Sequence, residues 1–176
     1  MTASHRPALP SDDSARAALR HLAATLAYRA AKVLRDAPPA FASASFGPTT
    51  RHPVQIVAHM ADLMAWGVSL AGGGNEWKPV GSDDWQTEVE RFFTGLAALD
   101  QALASGEPAG ASLEKVIQGP LADALTHVGQ LAMLRGMANA PVRPENYARA
   151  AIVRGTVGRE QAAPGREFDG DASQRR

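Results

Sequence analysis

The 176-residue chain predicts an all-α fold, a four-helix bundle closed by an irregular C-terminal strap. Three observations carry this. Four stretches place apolar residues at helical spacing between capping and breaking residues. No stretch alternates apolar and polar residues long enough to argue for a sheet, and no repeat period appears. The four stretches are amphipathic and of comparable length, as the helices of a bundle are.

The first helix starts near the cap cluster Ser11-Asp12-Asp13 and runs to about Asp36, with Leu19, Leu22, Leu26, Val33 and Leu34 on its stripe and Ala37-Pro38-Pro39 as its stop. A loop carrying Phe41 and Phe46 follows, its aromatics expected to pack on the bundle. The second helix follows Pro53, a residue suited to a first turn, and ends at Gly72-Gly73-Gly74. The third opens at Ser82-Asp83-Asp84, carries Val89, Phe92, Phe93, Leu96, Leu99 and Leu103, and stops at Ser105-Gly106. Within the following small-residue segment, Ser112 to Ile117 reads as a short strand or a loop. The fourth helix is expected from about Pro120 to Ala138. Pro141 to Val157 reads as an ordered strap anchored by Tyr147, Ile152 and Val153. The expected organisation is a flexible terminus over 1–10, one bundle domain over 11–157 and a flexible tail over 158–176.

Lysine plus arginine equals aspartate plus glutamate at 18 each, so nothing in the charge argues for nucleic acid or an anionic membrane surface as partner. The absence of cysteine excludes a disulfide framework, a thiolate-bound zinc and a cysteine nucleophile. No secretory h-region opens the chain, and the apolar segments are broken by Asp, His, Arg or Gly before spanning length. A soluble cytoplasmic protein, with no membrane partner, is the expectation.

Two histidines fall on apolar stripes. His59 shares a face with Ile56, Leu63 and Trp66, and His127 with Ala124, Leu131 and Leu134. An imidazole facing a core needs partners for its ring nitrogens. Asp123 and His127 stand at i and i+4 on one helix, so their side chains project together. With His59 from the second helix they make two imidazoles and a carboxylate, a ligand set for one divalent ion that leaves a position for water or substrate. Asp62 is placed to hold an imidazole from behind, and Gln130, i+3 from His127, to bond a ligand or a water. The competing reading gives each histidine an ordinary hydrogen-bond partner and explains Asp123 by the dipole of its helix. His5 lies in the terminal tail, His21 reads as solvated or half-buried, and His52 as a flank or cap of the second helix. Glu88 and Arg91 read as a surface ion pair, or as groups facing the bundle mouth. Gly72-Gly73-Gly74 lacks the Lys-Ser/Thr of a phosphate-binding loop, and no Gly-x-Ser-x-Gly elbow occurs.

A histidine in the middle of the second helix and His127-Val128-Gly129-Gln130 in the fourth resemble the DinB family of four-helix bundles. Asp62-Leu63-Met64-Ala65-Trp66, Asp84-Trp85 with Glu88-Val89-Glu90-Arg91-Phe92-Phe93, and Ala140-Pro141-Val142-Arg143-Pro144-Glu145-Asn146-Tyr147 are similar to one of its branches. The resemblance covers roughly residues 12 to 157. It implies an up-down-down-up bundle, with the connection from Ala71 to Gly81 crossing between the second and third helices. It also implies a homodimer and a zinc or nickel ion held by three histidines. His59 matches the first of these and His127 the last, while position 123 carries Asp where the family has His. The activities it implies are thiol-dependent S-transfer and isomerisation with a low-molecular-weight thiol as cosubstrate, and the family name points to a stress response. A thiol from outside would suit a chain without cysteine.

Two functional readings follow. In one, His59, Asp123 and His127 hold a divalent ion in a thiol transferase or hydrolase-type enzyme of unassigned substrate and unassigned catalytic groups, its pocket closed by the loop around Phe41 to Phe46 and by Trp85. In the other, the site has decayed through Asp123, and a metal-free bundle binds a small molecule or a protein.

Overall fold

The structure is a computed structural model that describes residues 12–106 and 112–168. The expected N-terminal segment over 1–10 lies outside the described residues, as does the end of the expected tail, 169–176. The helices are α1 (Asp12–Leu34), α2 (Pro53–Ala71), α3 (Trp85–Ser105), α4 (Leu113–Val116) and α5 (Ala122–Met137), with single 3-10 turns at Pro39–Phe41 and Tyr147–Arg149. A π-helical turn, Ile117–Leu121, joins α4 to α5, so the bundle's fourth member is one rod. The described residues form no strand, only an isolated bridge between Glu145 and Glu167.

The helix boundaries follow local chemistry. The Asp84 carboxylate accepts the Thr87 N–H at 2.7 Å and caps α3, and Gly106 ends that helix at φ 74°, in the left-handed region that favours glycine. Gln55 Oε1 accepts the His52 N–H at 3.0 Å ahead of Pro53, so His52 flanks α2 as expected. The expected start of the fourth helix at Pro120 is corrected. The chain is already helical at Leu113, and Pro120 sits inside the rod within the π turn. Proline lacks the N–H that an α turn needs and its ring crowds the carbonyl four residues back; a wider turn accommodates both.

Contacts along the helices give their directions. Arg20 meets Asp100, and Leu34 lies near Phe93, so α1 and α3 are antiparallel. Arg91 reaches Ala58, and Gly95 and Leu99 lie against Met64 and Gly67, so α2 and α3 run parallel. His59 faces Asp123 and Gly67 faces Pro120, so the fourth rod runs against α2. The order is up-down-down-up. Leu26, Met60, Phe92, Leu96 and Leu131 fill the core at 0 % exposure, and each such side chain contributes roughly 1.5–3 kcal/mol on leaving water. Phe41 is buried with them, packed edge-on against Phe46 and Trp85. By length and composition α2 is apolar enough to cross a membrane, yet 67 % of its most apolar stretch is buried within the bundle.

Parallel neighbours need a crossover, and residues 72–84 supply it. The Val80 N–H donates to Asp62 at 3.2 Å and the Ser82 N–H to Glu88 at 2.6 Å. The Arg91 guanidinium bonds Asp62 at 2.7 Å, Glu88 at 2.8 Å and the Ala58 carbonyl at 3.0 Å. Glu88 is therefore a buried anchor, 1 % exposed, and the surface reading of the Glu88–Arg91 pair is corrected. Burial pushes the Glu88 carboxyl up, but the Ser82 N–H and Arg91 outweigh it and hold it below its ordinary value.

The strap crosses α1. Glu145 accepts from the Tyr28 hydroxyl and from Lys32 Nζ, both at 2.7 Å, and Lys32 also pairs with Glu167 at 2.7 Å. Val157 reaches the core. The strap extends to Phe168, whose N–H donates to the Pro144 carbonyl at 2.8 Å.

Candidate metal centre

Antiparallel packing of α2 on α5 brings His59 opposite Asp123 and His127. His59 Nε2 lies 3.1 Å from Asp123 Oδ2, and His127 Nε2 lies 3.4 Å from Asp123 Oδ1. The imidazoles meet edge to face with centroids 5.0 Å apart. One ligand atom from each residue falls within 4.8 Å of the others, so all three expected site residues converge. Four ligands about 2.0–2.2 Å from a tetrahedral zinc are separated from each other by roughly 3.3 Å. Each imidazole is near that spacing from one oxygen of Asp123, His59 from Oδ2 and His127 from Oδ1.

Gln130 sets the tautomer. Its Oε1 accepts from His127 Nδ1 at 2.7 Å. With the proton on Nδ1, a neutral His127 ring presents its Nε2 lone pair to the Asp123 carboxylate, a pair of donors that one cation between them would satisfy. Gln130 therefore does to His127 what was expected of Asp62. Asp62 itself bonds Arg91 and the Val80 N–H, not an imidazole, because the parallel contact with α3 claims it.

The triad stands in the wall of an open cleft of about 570 Å³, lined also by the apolar Ile56, Met133 and Leu134 and the polar Thr50, Arg51 and Gln130. The side chains of His59, Asp123 and His127 are 22 %, 43 % and 11 % exposed. The site therefore lies at the α2–α5 seam rather than inside the sealed core. Phe41, Phe46 and Trp85 do not line this cleft, which corrects the expected aromatic closure. Trp77, from the crossover, packs on His59 instead, with centroids 5.7 Å apart, and Trp66 packs on Trp77 at 5.9 Å. The crossover is tied down here too: Trp66 Nε1 donates to Asn75 Oδ1 at 2.8 Å, and the Glu76 N–H to Ser69 Oγ at 2.9 Å. Sequence reasoning missed Arg51 and Thr50 in this role. Both lie in a connection, where no hydrophobic period assigns a direction. His21 is exposed on α1, away from the triad, and His5 lies outside the described residues.

The cluster can collect two imidazoles and a carboxylate on one ion and present it to a small molecule from one side. Compared with known proteins, the chain matches no family model, no curated protein and no solved structure.

Proposed function

We propose that the protein binds one divalent ion, zinc or nickel, through His59, Asp123 and His127, and that it is a DinB-like metalloprotein acting on a small molecule in the cleft. The observation that carries this reading is the convergence of three ligand atoms within 4.8 Å, with Gln130 Oε1 at hydrogen-bond distance from His127 Nδ1. When bound, such an ion supplies Lewis acidity, lowering the pKa of a coordinated water or external thiol. The chain's own part is to orient. Gln130 fixes the His127 ring, Trp77 packs on one side of His59, and the apolar wall of Ile56, Met133 and Leu134 excludes water from one side of a ligand.

Elemental analysis of untagged protein is expected to give one equivalent of metal per chain, and His127→Ala to lose it. Full metal content in that variant overturns the ligand assignment. Asp123→His, which completes three imidazoles, is expected to raise metal affinity. A second reading, a metal-free bundle that binds a small molecule, is favoured by the His59–Asp123 hydrogen bond, which closes part of the cluster without an ion. It predicts a melting temperature indifferent to zinc, nickel and chelator, whereas the metal reading predicts a rise with metal.

A further inference from the structure

The cleft above the triad carries a recognition element that metal binding does not use. Arg51 is the one permanently charged cation among the residues lining it. Among the described residues no hydrogen bond or ion pair engages its guanidinium. Its backbone is fixed on both sides. The Thr50 N–H donates to the Gly47 carbonyl at 3.2 Å, and His52 donates through Nδ1 to the Ala44 carbonyl and through its N–H to Gln55, each at 3.0 Å. The nearby carboxylate of Asp62 is already taken by Arg91 and Val80. The planar fork of donors on Arg51, exposed at the cleft, is suited to a carboxylate. The same lining carries apolar surface from Ile56, Met133 and Leu134.

We infer that the ligand of this cleft is a small carboxylate with an apolar body, its carboxylate on Arg51 and its body along Ile56, Met133 and Leu134. The inference rests on the proposed metal centre for the far end of the ligand but not for the carboxylate itself. Charge supports it. A divalent ion offset by Asp123 leaves one positive charge, and Arg51 adds another, so the loaded cleft favours an anion.

The test is calorimetric titration of the full chain with phenylacetate and with its neutral counterpart phenylacetamide, in metal-loaded and chelator-treated protein. The carboxylate is expected to bind at least about tenfold more tightly than the amide in both forms, as a charge-assisted bidentate contact requires. Arg51→Gln is expected to bring the ratio close to one while metal content stays unchanged. Equal binding of the two probes by the unaltered protein overturns the inference, as does no binding of either. A carboxylate preference that survives Arg51→Gln and disappears with the metal assigns the carboxylate to the ion and overturns it as well. Failure of the metal centre shows separately, as absence of metal in the same samples.

Discussion

Gln130 shows how a single side chain decides what a histidine can do. By accepting a hydrogen bond from His127 Nδ1 it leaves Nε2 to face an ion. Gln130→Leu is therefore expected to weaken metal affinity by roughly 10–100-fold without removing a ligand, as loss of an outer hydrogen-bond partner does. Unchanged affinity in a metal titration would show that the ring is oriented some other way. The pair of Asp123 and His127 was legible in the sequence because i and i+4 share a helix face whatever the tertiary fold. The fate of Asp62 was not, because its partner Arg91 lies on a different helix and the choice between His59 and Arg91 depends on how α2 and α3 are paired. Glu88 also has a pH signature. Its carboxyl is held below the ordinary 4.5, so its contribution to stability is present above that value and is lost as pH falls through the lowered one. The melting-temperature gap between the native protein and Glu88→Gln should be widest near neutrality and close in acid. A gap constant with pH would contradict the burial of a charged Glu88.

At the scale of elements, the parallel contact of α2 with α3 is the distinctive feature, and glycine makes it possible. A Cβ on Gly95 would stand 2.9 Å from Met64 Cβ, close to the partner backbone and unable to swing aside. Gly95→Ala is expected to cost about 1–3 kcal/mol by overpacking and to lower the melting temperature by several degrees. Gly129, with nothing within 4 Å of its would-be Cβ, is the matched control. Gly129→Ala should be neutral or stabilising by up to about 1 kcal/mol, since glycine weakens a helix interior. Equal effects in thermal melts would mean that the two helices are not held this closely. The elements themselves were largely readable: stripes and caps located α1, α2 and α3 within a few residues. The fourth rod was read short because proline ordinarily opens a helix, and nothing local announces that a π turn will carry one through the interior.

For the whole molecule, two tethered connections fasten the four helices, and one of them reaches the site. The crossover places Trp77 on His59, and the strap is latched to α1 through a buried cluster of Tyr28, Lys32 and Glu145. Burial and the neighbouring Glu145 push the Tyr28 hydroxyl pKa well up, so it stays protonated and donates. Removing one member of such a cluster strands the others, at roughly 3–5 kcal/mol. Glu145→Ala should accordingly release the strap and speed its cleavage under limited proteolysis; unaltered cleavage would show that the latch is not what holds it. Neither connection has a period, which is why the tether points emerged only from the folded chain. The claim on which the rest depends concerns the ion. X-ray absorption on zinc-loaded, untagged protein should show one ion per chain with two imidazole nitrogens and carboxylate or water oxygens at about 2.0–2.2 Å. An ion bound without imidazole, or a chain that retains none, would contradict it.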